Sequence, residues 1–465
     1  MFGNPTFSAL SRGLLISLVL LLPRSGVAQS PTEVIPQETR EAAWALMEAA
    51  LESPVTWNRL SELIDRFGPR FAGTEALEAS LDWILAGMEE DGLENVRAEP
   101  VQVPRWVRGR ESLHLLSPWP REMAMLGLGP SVATPPEGIQ GEVLVVGSFQ
   151  ELEARAQEAK GKIVLFDVPF TNYGETVQYR SRGAVAAARA GAVASLIRSV
   201  TPFSMNTPHT GGMSYEEGVP KIPHAAITLE DAAMLHRMAD RGQRIQLHLT
   251  MEGEEQGMVT SRNIMGEIVG REFPHEVVVL GGHTDSWDVG QGAMDDAGGV
   301  VAAWEAVRLM KELGLRPRRT VRVVGWTAEE VGIYGGQAYA EAPTRDREEH
   351  VLGIESDSGV FSPLGFGFSG SDAAFGIVQE VGRMLEPIGA GTISRGGGGA
   401  DIGPMMRERG MPGMGLNVDP DRYFWYHHTD ADTLDKLDPE EVARCVAAMA
   451  VMAYVVADLP EPLPR

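Results

Sequence analysis

The residues best suited to chemistry are two histidine stations and a set of carboxylates, each placed where a strand-like run ends. His283 and Asp285 follow the apolar run Val277 to Leu280 and the pair Gly281-Gly282, and Asp295-Asp296 stand shortly after, at the entrance to a helical stretch. Glu329-Glu330 come directly after a run ending in Trp326, and Asp357 follows Val351 to Glu355. His427-His428 precede Asp432-Thr433. Each has a bland reading by itself: adjacent glutamates start solvated helices, a lone aspartate caps a turn, and paired histidines are common. Together they form a set of imidazole and oxygen donors with no thiolate, which suits zinc in a hydrolytic site better than a structural zinc site. The number of donors points to two ions. A carboxylate can bridge two metals roughly 3.5–4 Å apart, each needing further ligands of its own. Asp295 as the bridge, His283 and Asp357 on one ion, and Glu330 and His428 on the other satisfies that arrangement. Glu329 is then left unligated beside the metals, where a general base belongs.

The elements that must position these residues read as an alternation of strand and helix. Strand candidates at Glu276 to Gly282, Thr320 to Trp326, Val351 to Glu355 and Gly413 to Asn417 alternate with helix candidates at Ala297 to Leu313, Ala373 to Leu385 and Pro439 to Ala457. Apolar runs without polar alternation imply strands buried on both faces, hence a mostly parallel mixed sheet flanked by helices. In such sheets, ligands gather beyond the carboxyl ends of the strands, and all four stations should meet there. Upstream, residues 37–90 show helical spacing interrupted by the turn Gly68 to Thr74, and Val101 to Val107 reads as a strand. Between about Leu115 and Thr250 the character changes. Short strand-like pieces (Gly141 to Val146, Lys162 to Phe166, Ala225 to Leu229) alternate with an Ala-rich helix at Gly183 to Ala190, and Asn206 to Gly212 reads as an exposed loop. This stretch is expected to be a separate module inserted into the main domain, without a metal-type cluster; its histidines at 209, 224, 236 and 248 read as surface or satisfied core residues.

Composition narrows the function classes. With 465 residues, two domains are expected. A formal net charge of −24 argues against nucleic acid or an anionic membrane as partner. Arg12, the apolar run Gly13 to Leu22 and the small residues Gly26 and Ala28 have the pattern of a cleavable secretory signal over residues 1–28. The mature chain is thereby expected to be secreted or periplasmic, without membrane insertion. The single cysteine, Cys445, cannot form an internal disulfide and reads as a small buried hydrophobe.

These motifs have a family likeness. The chain resembles the di-zinc aminopeptidase and glutamate carboxypeptidase superfamily through HTDSWDVGQGAMDDAGG at His283 to Gly299, WTAEE at Trp326 to Glu330, ESDSG at Glu355 to Gly359 and YFWYHH at Tyr423 to His428. The inserted stretch, at Val177 to Val200 and Gly218 to Asp231, resembles a protease-associated domain. The resemblance implies a catalytic domain over 29–114 and 251–465, with the inserted domain at 115–250. It implies two Zn²⁺ per chain held by His283, Asp295, Glu330, Asp357 and His428, with Glu329 as catalytic base. The family places its ligand histidine four residues before an Asp-Thr pair, which selects His428 over the adjacent His427. Asp285 would orient His283 through its other ring nitrogen, and the Asp295–Asp296 peptide would be cis. The implied substrates are short peptides, unblocked dipeptides above all, and the implied assembly is a homodimer. To read the two ends of a peptide, Arg395 is the candidate for a carboxylate, Asp401 for an ammonium and Tyr426 for the oxyanion. Three other readings stand beside this one: a broad aminopeptidase of the same chemistry, a glutaminyl-cyclase-like acyl transferase using one zinc, and a receptor ectodomain without catalysis.

Overall fold

Unbroken apolar runs demand burial on both faces, and they form the middle of an eight-stranded sheet. In this computed structural model, which describes Met1 and residues 34–465, the strands Arg319–Trp326, Phe273–His283, Glu349–Glu355 and Gly413–Val418 lie side by side and parallel. Glu94–Val107 and Glu254–Ile268 extend one side of this block as antiparallel neighbours. On the other side Pro363–Ser369 pairs antiparallel with Gly413–Val418 and carries Thr392–Arg395 as a parallel edge. The sheet is therefore mixed, with its parallel part at the centre, as the alternation predicts. The expected signal peptide lies outside the described residues. Among the described residues no helix is long and apolar enough to cross a membrane.

Helices cover the sheet as their patterns require. Pro439–Asp458 is buried almost along its whole length, its alanines and valines allowing close approach to Gly298–Glu312 and to the N-terminal helix Gln37–Glu52. Asp438 caps it by accepting from the Glu440 and Glu441 N–H groups, with Pro439 at the first turn. Cys445 is buried in this helix, and its thiol donates to the Phe361 carbonyl at 3.1 Å. The helical N-terminal stretch resolves into Gln37–Glu52, Val55–Phe67 and Glu75–Glu90.

Residues 111–251 form a second eight-stranded sheet with apolar clusters on both faces. Its strand Glu111–Ser117 starts a few residues before the expected boundary, because it pairs with Gln246–Met251 and so closes the segment on itself. The helix read at Gly183 to Ala190 runs over Tyr173–Arg189. Its polar first half lacks the alanine signal, yet Asn172 caps it by accepting from the Glu175 N–H. Residues 35–465 make one compact unit.

Candidate metal centre

All four sequence stations reach one edge of the central sheet. His283 ends the strand Phe273–His283; its Nε2 lies 3.2 Å from Asp295 Oδ1 and 3.4 Å from Asp357 Oδ1. His428 Nε2 lies 3.0 Å from Glu330 Oε2 and 3.3 Å from Asp295 Oδ2. Donor atoms of Asp295, His427 and His428 lie within 4.8 Å of one another, as do those of His283, Asp295 and Glu330 and those of His283, Asp296 and Asp357. His427 stacks on His428 with ring centroids 3.5 Å apart, but its Nε2 is 3.7 Å from Asp295, and only His428 also faces Glu330.

Local structure explains the placement. Asp295 sits in the short π-turn Ala293–Ala297, and the Asp295–Asp296 peptide is cis, as the resemblance implied. Asp296 turns back to accept from the His283 and Gly299 N–H groups, both at 3.1 Å. A Cβ on Gly282 would stand 2.1 Å from Asp296 Oδ2, so glycine is what lets this carboxylate lie against the strand end. Asp432 accepts from the Ala293 and Met294 N–H groups, both at 2.9 Å, tying the histidine segment to the aspartate loop. Asp285 departs from its expected role. His283 Nδ1 donates to the Asp285 main-chain carbonyl at 2.9 Å, whereas the carboxylate is 3.7 Å away and accepts instead from the Glu329 and Glu330 N–H groups. The backbone of Asp285 orients the ring; its side chain aims the glutamates.

The electrostatics call for cations. Burial would keep His283 neutral, yet Asp285, Asp295 and Asp357 together hold its pKa well above the usual imidazole value. Burial and the charges of Asp357 and Glu330 push Glu329 well above the carboxylate range, with His283 opposing them. Asp295 stays well below that range despite its burial, because His283 and His428 face it. Asp295 Oδ2 and Glu330 Oε1 are buried and accept no hydrogen bond. Orphaned buried carboxylate oxygens are costly unless paired or coordinated. With imidazole nitrogens alongside and no thiolate, the donor set fits zinc or a similar divalent ion.

A cavity of about 1040 Å³ opens on these groups. Asp295, Glu329, Glu330, Asp357 and His428 line it from the side of the central sheet, and Tyr173, Arg180 and Tyr215 from the second sheet's segment. The residues expected to read substrate ends lie elsewhere. Arg395 is half exposed, pairs with Asp372 at 2.6 Å and lies over the Phe375 ring. Asp401 is fully buried, accepts from the Gly336 N–H, and is held well above the carboxylate range by burial and by Glu355. Its side chain is not among the groups that line the cavity, which neighbouring Ala400 reaches. Tyr426 packs against the core near Lys436, while Tyr423, three residues earlier, lines the cavity.

Three contributors escape a reading of the sequence. Arg70, in the turn read only as a connection, is buried and donates to the carbonyls of Gly68, Thr284, Gln291 and Gly292. Burial lowers its pKa to about 10, against the pull of Asp432 and Asp285. Arg180 is buried at the cavity wall and donates to the Tyr173 hydroxyl at 2.7 Å. His209 and Thr210, expected on an exposed loop, are buried against His427 and His428. The Gly-rich sequence around them gave a turn signal, and nothing local marks a loop that another part of the chain will cover.

Comparison with known proteins agrees with the site. The sequence pattern of Peptidase family M28 matches residues 263–453. Carboxypeptidase Q of Mus musculus is 46% identical over 448 residues, spanning 95% of either chain, and that of Homo sapiens is 45% identical over the same length. The crystal structure of a Peptidase M28 precursor from Shewanella amazonensis SB2B superposes with a TM-score of 0.89 at 36% identity, covering 92% of this chain and 98% of that one. A zinc aminopeptidase from Bacillus subtilis shares the fold at 22% identity, with a TM-score of 0.64 over 88% of this chain and 98% of its own. The chain is a metallopeptidase and belongs, with the carboxypeptidase Q proteins, to peptidase family M28.

Proposed function

We propose that the protein is a di-zinc exopeptidase that hydrolyses short peptides, unblocked dipeptides foremost, with Glu329 as general base. The observation that carries this reading is the meeting of His283, Asp295, Glu330, Asp357 and His428 around orphaned carboxylate oxygens at a cavity that Glu329 also lines. Asp295 presents one oxygen to His283 and the other to His428, which suits a ligand shared by two ions. The pairs His283–Asp357 and His428–Glu330 would complete one ion each. When bound, such ions polarise the scissile carbonyl and acidify an attacking water. Glu329 accepts the proton from that water at a carboxylate oxygen and hands it to the departing amine. Its burial among like charges favours uptake of a proton, while the Asp285 carboxylate on its N–H fixes where it points.

Substrate length needs a charge at the cavity wall, and Arg180 supports a free carboxylate end. It is a buried cation on that wall beside Tyr173 and His428. The segment 115–250, proposed as an inserted protease-associated-like domain, would thereby take part in selecting peptides. The test is kcat/KM for one dipeptide in free, N-acetylated and C-amidated forms. The free form should be cleaved far faster than both others; amidation would leave Arg180 without its partner, and an unpaired buried charge costs several kcal/mol. Indifference to the C-terminal block would favour a broad aminopeptidase, and preference for the N-acetylated form an N-acyl-type glutamate carboxypeptidase.

A further inference from the structure

His428 is held in an unusual backbone state. Its φ is +62°, in the left-handed region that non-glycine residues seldom occupy and that persists only where surroundings fix it. What fixes it comes from the segment of the second sheet. The Thr210 N–H donates to the His428 carbonyl at 3.0 Å, and the His428 ring returns to the Thr210 carbonyl, with Nδ1 at 3.3 Å. One residue earlier, His209 Nδ1 lies 2.7 Å from the His427 carbonyl, and the Thr201 hydroxyl donates to the Phe424 carbonyl. A carbonyl only accepts, so His209 carries its proton on Nδ1, and the Thr210 carbonyl calls for the same at His428. Arg180 Nη1, a donor, stands 3.4 Å from the same His428 nitrogen and 3.5 Å from the Thr210 carbonyl, the acceptor that its hydrogen can serve. With Nδ1 protonated, the lone pair of His428 is on Nε2, the atom that faces Glu330 and Asp295.

The strap is itself anchored. The His209 N–H donates to the Ser199 hydroxyl, the Thr210 hydroxyl donates to the Gly127 carbonyl, and Arg108 reaches Thr210 Oγ1 while pairing with Asp288 of the His283 loop. Both strap residues are almost wholly buried.

We propose that His209 and Thr210 are positioning residues for the metal centre: they clamp the His427–His428 turn and set the tautomer that turns the His428 Nε2 lone pair toward the Asp295 and Glu330 carboxylates. The second sheet's segment is then a structural part of the metal site as well as a cavity wall. This rests on His428 being a ligand, which the loss of one zinc equivalent in His428→Ala checks separately; retention of both equivalents there would refute the ligand reading and with it the role of the strap.

The strap is tested by zinc affinity, measured by chelator competition on metal-stripped full-length protein. His209→Leu removes the donor to the His427 carbonyl, and His209→Asn keeps an amide N–H near the same place. Outer partners of metal-bound histidines are typically worth about 10–100-fold in affinity, so His209→Leu should weaken one zinc equivalent by that factor. His209→Asn should stay within a few-fold of the parent protein, and the other equivalent should hold in both. Equal affinity in the parent and His209→Leu, or equal loss in the Leu and Asn variants, would overturn the proposal. Should His209→Leu fail to fold, long-range ¹⁵N–¹H spectra of the histidine-labelled parent protein, zinc-loaded, decide the matter, with the signal assigned by its absence in His428→Ala. A proton on Nδ1 of His428 is expected, and a proton on Nε2 would overturn the assignment.

Discussion

Asp295 is approached from both sides, with His283 at one carboxylate oxygen and His428 at the other, while Glu330 pairs with His428. The proposed ligand roles therefore predict different losses. Asp295→Ala should release both zinc equivalents, and Glu330→Ala chiefly one, as read by elemental analysis after gel filtration. Two equivalents kept in Asp295→Ala would assign the bridge to another residue. The side chains that converge were legible in the sequence because each follows a strand end, and strand ends of a parallel sheet share an edge. The substrate contacts were not. Arg395, Asp401 and Tyr426 were chosen for closeness in sequence to the site, but a side chain's direction depends on its neighbours. Arg395 finds Asp372 and Phe375, and Tyr426 finds the core. Arg180 lies nearly 250 residues from its histidine partner, a separation no local pattern reports.

At the scale of elements, the loop that carries Asp295 depends on one buried guanidinium. Arg70 clasps carbonyls at both ends of the segment Thr284 to Gly292, and no other residue type offers that fork. Arg70→Met should cost on the order of 3–5 kcal/mol of stability, since buried carbonyls lose their charged partner. It should also lower zinc occupancy, because the freed loop leads directly into Asp295. A thermal midpoint and zinc content both unchanged would refute the tether. Arg70→Lys should rescue little, as a point charge cannot span those acceptors. Here the sequence was readable in its strands and helices, whose patterns are strong, but not in its connections. The turn Gly68 to Thr74 announced its backbone bend through Gly68 and Pro69, while the destination of Arg70 was set by a loop more than two hundred residues away. The first half of the helix Tyr173–Arg189 was missed for a related reason. Its buried positions there include the polar Thr176 and Arg180, which give no apolar signal, and only the Asn172 cap marks its start.

For the whole molecule, two buried histidines outside the metal centre each weaken the fold in acid. Burial lowers the pKa of His224 to about 4, with hydrogen bonds to the Ser195 and Tyr179 carbonyls opposing it. His350, lowered to about 3, owes this to burial first and to Arg322 second, against Glu348. In the unfolded chain both would titrate near the ordinary imidazole value of about 6.5. At these two sites the native state thus binds fewer protons than the unfolded one. The stability these histidines contribute is complete above that value and is lost as pH falls toward their folded pKa values. Each shift corresponds to about 3–5 kcal/mol. In metal-stripped protein the midpoint of the parent should lose ground to that of His350→Gln as the pH falls from about 6.5 to 4. An unchanged difference between the two would contradict the burial of His350 as a neutral group. The change in character near residue 115 falls close to the start of the second sheet at Glu111, where a strand pairs with the last strand of the segment.

The claim on which the functional account rests is that Glu329 moves the proton and holds no metal. Glu329→Gln keeps the shape and the N–H bond to Asp285 but cannot accept a proton. Turnover of an unblocked dipeptide and bound zinc should be measured on the same sample of this variant. The account predicts two retained zinc equivalents and a kcat reduced by about 10²–10⁴-fold. Near-normal turnover at unchanged zinc content would contradict it.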